Sequence, residues 1–325
     1  MRAIVTGSEG FIGSHMVDFL LAKNFEVIGT TKPGMPDRNV SHLLDPPHPD
    51  FTFVDMDLRD RTRVEEVIES YQPDFIFHFG AQSMVNPSFE DPVYTFEVNI
   101  LGTTYIFETI KRLKLPCTVV VACSSASYGE TTEEERPIKE TNAQRPIHPY
   151  GISKMAQEWI TKQYALNFGI DVRVLRLFNQ TGPRKRGDAC SDFAHDIGKI
   201  EAGKAEPEIR VGNLDKYRDI TGIKDTLQGI WAVTERGRTG ETYNLCSGKA
   251  TCMRDVVNIL LGFSTKNIVV NELSDEKLRV ADEPIILGDN TKIREECGYE
   301  PSQELNDLLR DMFDSWVEYY SKYDE

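Results

Sequence analysis

Thr6-Gly7-Ser8-Glu9-Gly10-Phe11-Ile12-Gly13 follows the apolar run Ala3-Ile4-Val5 and leads into helical periodicity over residues 11–22. A turn that cradles a pyrophosphate needs glycine where the chain reverses tightly and where backbone must approach the anion. A further glycine lets the helix pack closely on the strand, so that the helix N-terminus faces the phosphates. Gly7, Gly10 and Gly13 stand at these places in the spacing G-x-x-G-x-x-G, with Phe11 and Ile12 in the first helical turn. A glycine trio alone also fits a plain tight turn; its position between a first strand and a first helix is what points to a nucleotide cofactor.

Outward from this turn, apolar runs at residues 3–5, 26–29, 52–54, 75–79, 118–122 and 172–177 alternate with helical patterns at 11–22, 63–70, 93–113 and 150–168. The runs are rich in Val, Ile and Phe with little polar alternation, as in strands buried on both faces. Strand–helix alternation of this kind predicts an α/β fold, a doubly wound parallel sheet of the Rossmann type. After Asn179 the pattern loosens, with helical stretches at 192–201, 223–234, 253–261, 291–297 and 305–320 and short strands at 209–211 and 241–245. No Gly/Pro/Ser linker separates the halves. The expected organisation is a dinucleotide-binding domain over 1–178, joined again by 220–246, and a smaller interleaved substrate domain over 179–325.

The second apolar run ends Val27-Ile28-Gly29-Thr30-Thr31-Lys32. An NAD site usually places a carboxylate here for the ribose 2′-hydroxyl. No acid stands at that strand end, whereas Thr31 and Lys32 offer a hydroxyl and a cation suited to a 2′-phosphate, so NADP(H) is expected rather than NAD(H). Asp57, followed by Leu58, is a candidate for the adenine.

Tyr150-Gly151-Ile152-Ser153-Lys154 sets a phenol and an ammonium four residues apart on one helix face. A nearby cation stabilises phenolate, so Lys154 is expected to lower the Tyr150 pKa and fit it for proton transfer. The pair follows Ser124-Ser125 at the end of the fifth apolar run, and a serine hydroxyl there can hydrogen-bond a reacting oxygen.

These features together resemble the extended short-chain dehydrogenase/reductase family along essentially the whole chain. The glycine turn, Asp57, Gly80-Ala81-Gln82-Ser83, Asn99 before Gly102-Thr103, Ser124 with Tyr128-Gly129, Tyr150/Lys154 and Asn179 before Gly182-Pro183 fall in family order. The resemblance implies that Ser124, Tyr150 and Lys154 carry the chemistry, that Gln82 lies at the cofactor, and that Ser83 and Ser125 lie at the substrate. It also implies a homodimer, or a dimer of dimers, through the helices at 93–113 and 150–168. Within the family, Phe178–Arg184, Val211–Asp219, Tyr243–Gly248 and Leu278–Pro284 are most similar to enzymes acting on GDP-mannose and its 4-keto-6-deoxy product, although Val280 stands where their motif has proline. That likeness implies substrate contacts from Asn179, Arg184, Arg186, Arg218 and Arg279, with Asp282 on the nucleotide ribose. Arginines suit a diphosphate because the guanidinium fork matches its oxygens.

A 4,6-dehydratase needs its own base for elimination, usually a glutamate two residues after the catalytic Ser/Thr. Here that position is Ala126, and Asn99 stands where the GDP-mannose dehydratases tend to carry aspartate. The leading expectation is therefore NADPH-dependent reduction of a GDP-linked 4-keto (6-deoxy) hexose. The alternatives are an epimerase or 4-dehydrogenase with retained NAD(H), a dehydratase whose base is displaced to Glu130 or Glu133–Glu135, and a non-catalytic NADP(H)-binding protein.

The 325 residues are 40% hydrophobic and 27% charged, and 37 Lys+Arg against 52 Asp+Glu give a net charge of −15. That field repels nucleic-acid backbones. No apolar run approaches the ~18 residues of a membrane span, and MRAIVTG enters a strand with no basic leader. Six cysteines without a C-x-x-C pair, and His78, His148 and His195 without metal-like spacing, fit a reduced cytoplasmic protein with no metal.

Overall fold

The computed structural model describes residues 1–274 and 285–323. Its strands are, in chain order, β1 Arg2–Thr6, β2 Glu26–Thr31, β3 Phe51–Asp55, β4 Phe75–His78, β5 Thr118–Ser124, β6 Asp171–Leu177, β7 Asn179–Thr181, β8 Glu208–Arg210, β9 Tyr217–Gly222, β10 Thr242–Leu245, β11 Ala250–Cys252, β12 Val269–Asn271 and β13 Ile285–Ile286. Seven of them form a parallel sheet in the order β10-β6-β5-β4-β1-β2-β3. The strand order reverses at β1, which pairs with β2 on one side and β4 on the other. This is the doubly wound arrangement expected from the sequence, and its reversal point lies where the glycine turn leaves β1.

Successive side chains of a strand point to opposite faces, and both faces of this sheet are covered. Ala3 and Val5 pack with Met16 and Leu20 of the helix Phe11–Ala22 and with Ile230 and Val233. Ile4 faces the other way, towards Val64, Ile106, Phe107 and Tyr164. Burying such a side chain contributes ~1.5–3 kcal/mol, which is why the strands carry unbroken Val/Ile runs.

By contacts the chain divides into two units. The first comprises Met1–Phe178, Leu227–Leu245 and Asn290–Tyr299; the second comprises Asn179–Thr226, Cys246–Asp289 and Glu300–Glu325. The return to the first unit thus starts at Leu227 instead of 220, because β9 pairs with β7, β11 and β13 in a small sheet of the second unit. The further return at 290–299 has no separate sequence signal; Ile293, Cys297 and Tyr299 are core residues of the first unit.

The helix expected over 93–113 runs without a break from Pro92 to Leu113 but widens into a π-turn on the way. Pro92–Phe96 passes through a π-turn at Glu97–Leu101 into Gly102–Leu113. A side chain at Gly102 would lie 2.8 Å from Leu58 Cβ, and the extra residue of the π-turn accompanies a fully buried Asn99. The acidic run Glu133–Glu135 forms a short 3-10 helix with a capping box. Among the described residues no helix is long and apolar enough to cross a membrane.

Candidate active site

The three glycines of the turn have separate physical reasons. Gly7 has φ +65°, and a Cβ there would lie 2.8 Å from Gly80 Cα. At Gly13 a Cβ would come within 2.0 Å of the Gly7 carbonyl oxygen, so only glycine lets the helix start against the turn. Gly10 is the N-cap, with Ser14 N–H returning to its carbonyl at 3.0 Å. The first-turn amides of Phe11 and Ile12 follow at the positive end of the helix dipole. Leu58 is a packing residue beneath Gly80 and Gly102.

Beside this turn, Ser8 N–H donates to the Thr30 carbonyl at 3.1 Å, which fastens the turn to the end of β2. Lys32 donates to the Tyr94 hydroxyl at 3.2 Å and lies 4.9 Å from that ring's centre. The sequence reading missed two charges here. Arg59 flanks the same ring at 5.0 Å and pairs with Asp57 at 2.7 Å, holding that carboxyl below the usual range. Glu9 is half-buried, hydrogen-bonds the Thr31 side chain, and has one buried carboxylate oxygen, Oε2, without a partner. A turn whose close approaches exclude side chains, and a buried acceptor awaiting a donor, fit a dinucleotide.

Ser124 ends β5 and is buried; Tyr150 and Lys154 lie in the first turns of the helix Pro149–Phe168. The Ser124 and Tyr150 hydroxyls are hydrogen-bonded, and Ser124 Oγ also accepts the Ala126 N–H at 3.1 Å. Gly151 brings helix and turn together, since a Cβ there would lie 2.6 Å from the Ala126 carbonyl oxygen. His148 caps the helix through Nδ1, which accepts the Gly151 N–H at 2.9 Å, and its ring is 6.0 Å from that of Tyr150. Burial pushes the Tyr150 phenol up to about 12, against the opposing hydrogen bond of Ser124. The expected lowering by Lys154 is not seen in this arrangement. Its Nζ donates to the Ala122 carbonyl at 2.9 Å and to Gln157 Oε1 at 2.8 Å, and burial lowers its own pKa to about 8.

Lys154 is held by a buried chain that sequence reasoning did not find. Gln157 Nε2 donates to Thr103 Oγ1 at 2.8 Å, and Thr103 in turn donates to the Asn99 carbonyl at 2.7 Å. The Thr103 proton is thereby used, so His78 Nε2, 3.0 Å away, must be the donor to Thr103. His78 Nδ1 then accepts from Thr6 Oγ1 at 2.8 Å, and Thr6 accepts the Gly80 N–H at 2.9 Å. His78 is neutral, its pKa pushed down to about 3 by burial. The chain of donors ties the glycine turn to the helix of Tyr150.

Asn99 makes a second tie. Its Nδ2 donates to the Gln82 carbonyl and to Ser153 Oγ, both at 2.9 Å, and Oδ1 accepts the Gln82 N–H at 2.8 Å. Ser153 already donates to the Tyr150 carbonyl, so aspartate at position 99 would find no donor in either old partner. Asn99→Asp is expected to lower stability by about 2–3 kcal/mol, measured as a lower urea midpoint; an unchanged midpoint would contradict this bonding. The Gln82 side chain is engaged with Met84 and Thr95, and Ser83 beside it is exposed.

Residues 124–128 contain no carboxylate, and Ser125 and Ala126 are half-buried in the turn. Of the acids considered as displaced bases, Glu130, Glu133 and Glu134 are exposed, and Glu135 is held by Arg145 and the Thr132 N–H.

The second unit carries the remaining candidates. Asn179 and Arg218 line a pocket with Asp188, Asp192, Asp196, Arg210, Asn213 and Lys216. Arg184 has φ +69°, and Arg186 lies over the Trp316 ring at 4.9 Å. Neither is among the residues lining that pocket. Arg279 and Asp282 lie outside the described residues. The sequence reading also missed Asp219, a fully buried carboxylate that accepts from Ser247 N and Oγ, Gly248 N and Gly288 N.

Comparison with known proteins places these features in context. The chain is 27% identical to the GDP-6-deoxy-D-mannose reductase of Pseudomonas aeruginosa, over 97% of each chain. It is 28% identical to a GDP-mannose 4,6-dehydratase of Vibrio cholerae, over 96% of this chain and 92% of that one. The crystal structure of the Thermus thermophilus UDP-glucose 4-epimerase in complex with NAD superposes with a TM-score of 0.85 at 28% identity, over 97% of this chain and 99% of the other. Residues 4–312 match the family described as GDP-mannose 4,6 dehydratase. With the match running from the first strand into the last helix, the chain belongs to that family, whose relatives here are NAD(P)-dependent enzymes of nucleotide sugars.

Proposed function

We propose that the protein reduces the 4-keto group of a GDP-linked (6-deoxy) hexose. The observation that carries this reading is the hydrogen-bonded Ser124–Tyr150 pair beside a turn with alanine at position 126. A phenol whose pKa burial pushes up to about 12 keeps its proton at neutral pH and has it to donate to a forming alkoxide. A bound NAD(P)H would supply the hydride. Ser124 orients the carbonyl oxygen, Tyr150 delivers its proton to that oxygen as negative charge develops, and Lys154 would hold the ribose of a bound nicotinamide cofactor. Elimination of water has no carboxylate base at the turn, which disfavours a dehydratase.

Gly7, Gly10, Phe11, Ile12, Gly13, Asp57, Leu58 and Gln82 form the cofactor side of this proposal, and Thr31 with Lys32 supports NADP(H). On the substrate side, the cations Arg210, Lys216 and Arg218 suit a diphosphate, and the pocket carboxylates suit the N–H donors of guanine. Asn179, Ser83, Ser125, Arg184, Arg186, Arg279 and Asp282 complete the proposed substrate set. A homodimer, or a dimer of dimers, is supported by Ile152, Trp159 and Leu166, exposed apolar residues seven apart on one helix face. Monomeric mass in light scattering would overturn it. The free cysteines fit a cytoplasmic location.

The test is consumption of NADPH or NADH with enzymatically prepared GDP-4-keto-6-deoxymannose. Rapid consumption is the expected result. Protein that binds cofactor but leaves the ketose untouched would sink the substrate assignment. The likeness to the NAD-bound epimerase favours a second reading, a 4-epimerase or 4-dehydrogenase, and cofactor carried through purification would point to it.

A further inference from the structure

Two groups of opposite charge meet the end of β2. Lys32 is held against Tyr94 with Arg59 on the same ring. Glu9 hydrogen-bonds the Thr31 side chain. Its neighbour Ser8 is tied to the Thr30 carbonyl by both N–H and hydroxyl, at 3.1 and 3.2 Å, so the turn cannot swing Glu9 away from the strand end. The Glu9 carbonyl is fixed as well, accepting Asn39 Nδ2 at 2.9 Å. Its carboxylate accepts from its own backbone N–H and from the Thr31 side chain, while Oε2 is buried and unpartnered. A buried acceptor without a donor is costly, and a ligand hydroxyl at this place removes that cost.

In a doubly wound fold the adenosine ribose lies at the end of the second strand, where an acid conventionally arrives from the strand itself. Here the strand supplies Thr31 and Lys32, and the acid arrives from the glycine turn. We infer that Glu9 is the ribose carboxylate of this protein and restrains its use of NADP(H), accepting from the 2′-hydroxyl of NAD(H) and repelling the 2′-phosphate that Lys32 attracts. This rests on the nicotinamide site proposed above. Two consequences follow from charge alone. With Glu9 present, the site takes both nucleotides, because attraction by Lys32 is offset. Without its charge, the balance tips to the phosphorylated cofactor.

The experiment is equilibrium binding of NADH and NADPH, by fluorescence titration, to the full-length protein and to Glu9→Gln and Glu9→Ala. Glu9→Gln keeps an acceptor for Thr31 and removes the charge; Glu9→Ala removes both, on a turn outside the helices and strands. The ratio Kd(NADH)/Kd(NADPH) is expected to rise at least about tenfold in each variant, with NADH weakened further in Glu9→Ala. A ratio within about twofold of the parent in both variants, with both nucleotides still bound, would overturn the role of Glu9 and leave the nicotinamide site standing. Failure of the parent protein to bind either nucleotide would overturn both.

Discussion

Tyr150→Phe is expected to lower kcat for ketose reduction by about 10²–10⁴-fold, the range for loss of a positioned general acid, with KM changed only a few-fold. The phenol is the candidate proton donor because it is hydrogen-bonded to Ser124 and sits at the start of the helix that packs on the serine turn. Phenylalanine keeps the ring and its contact with His148, so substrate and cofactor still bind. A mutation that removes an interaction made only in the transition state lowers kcat and kcat/KM together. Loss of activity through a raised KM at constant kcat would instead make Tyr150 a binding residue.

The pH dependence separates two views of this tyrosine. If Lys154 lowered the Tyr150 pKa to neutrality, reduction would fall as pH rose through about 7, because the acid form would be lost. In the structure the phenol keeps its proton up to about 12, while the ammonium of Lys154 is lost through about 8. Reduction is therefore expected to hold steady from about pH 6 to 7.5 and to decline above 8 as Lys154 becomes neutral. Tyrosinate absorbance arising near neutral pH in the unliganded protein, absent in Tyr150→Phe, would overturn that assignment.

The sheet was legible in the sequence because its strands are buried on both faces, and burial writes itself as unbroken Val/Ile/Phe runs. The second unit's short strands left no such signature. Tyr217–Gly222 mixes Arg218 and Asp219 with Ile220, and its pairing with Asn179–Thr181 depends on residues forty-one positions apart. Candidate site residues could be named where a motif has fixed spacing, as for Ser124 and Tyr150, whose hydroxyls the structure brings into a hydrogen bond. They could not be named where a polar residue finds its partner through the fold. Glu9 reads as a loop acid until Ser8 is bonded to Thr30, and His78 and Thr103 read as separate polar residues until Gln157 joins them. Arg59 reads as a surface charge two residues from Asp57, and only the fold places it on Tyr94.

The second large effect lies beneath the site. Arg176 on β6 and Glu158 on the helix of Tyr150 form an ion pair in which both partners are buried. Glu158 accepts from Arg176 Nε at 2.8 Å and Nη2 at 2.7 Å, and also from Thr242, Gln144 and Lys162. Arg176 Nη1 donates to the Tyr128 hydroxyl at 2.7 Å, and Tyr128 donates to Asn244 Oδ1 at 2.6 Å. Tyr128 closes the turn that begins at Ser124, so the pair steadies the serine from below. Removing one partner strands a buried charge, and Arg176→Met is expected to cost about 3–5 kcal/mol in urea unfolding. Burial raises the Glu158 pKa, but the hydrogen bonds and charge of Arg176, with Lys162, outweigh it and hold the group below 4.5. A depressed folded-state pKa stabilises the protein above the unfolded value, and that contribution is lost as pH falls through the folded one. The gap between parent and Arg176→Met should therefore be widest at neutral pH and narrow as the medium is acidified below about 4.5. The double variant Arg176→Met/Glu158→Leu, which removes both charges of the pair, should regain part of the loss. A single variant as stable as the parent, or a double variant weaker than the sum of its parts, would show that the pair does not hold this helix to the sheet.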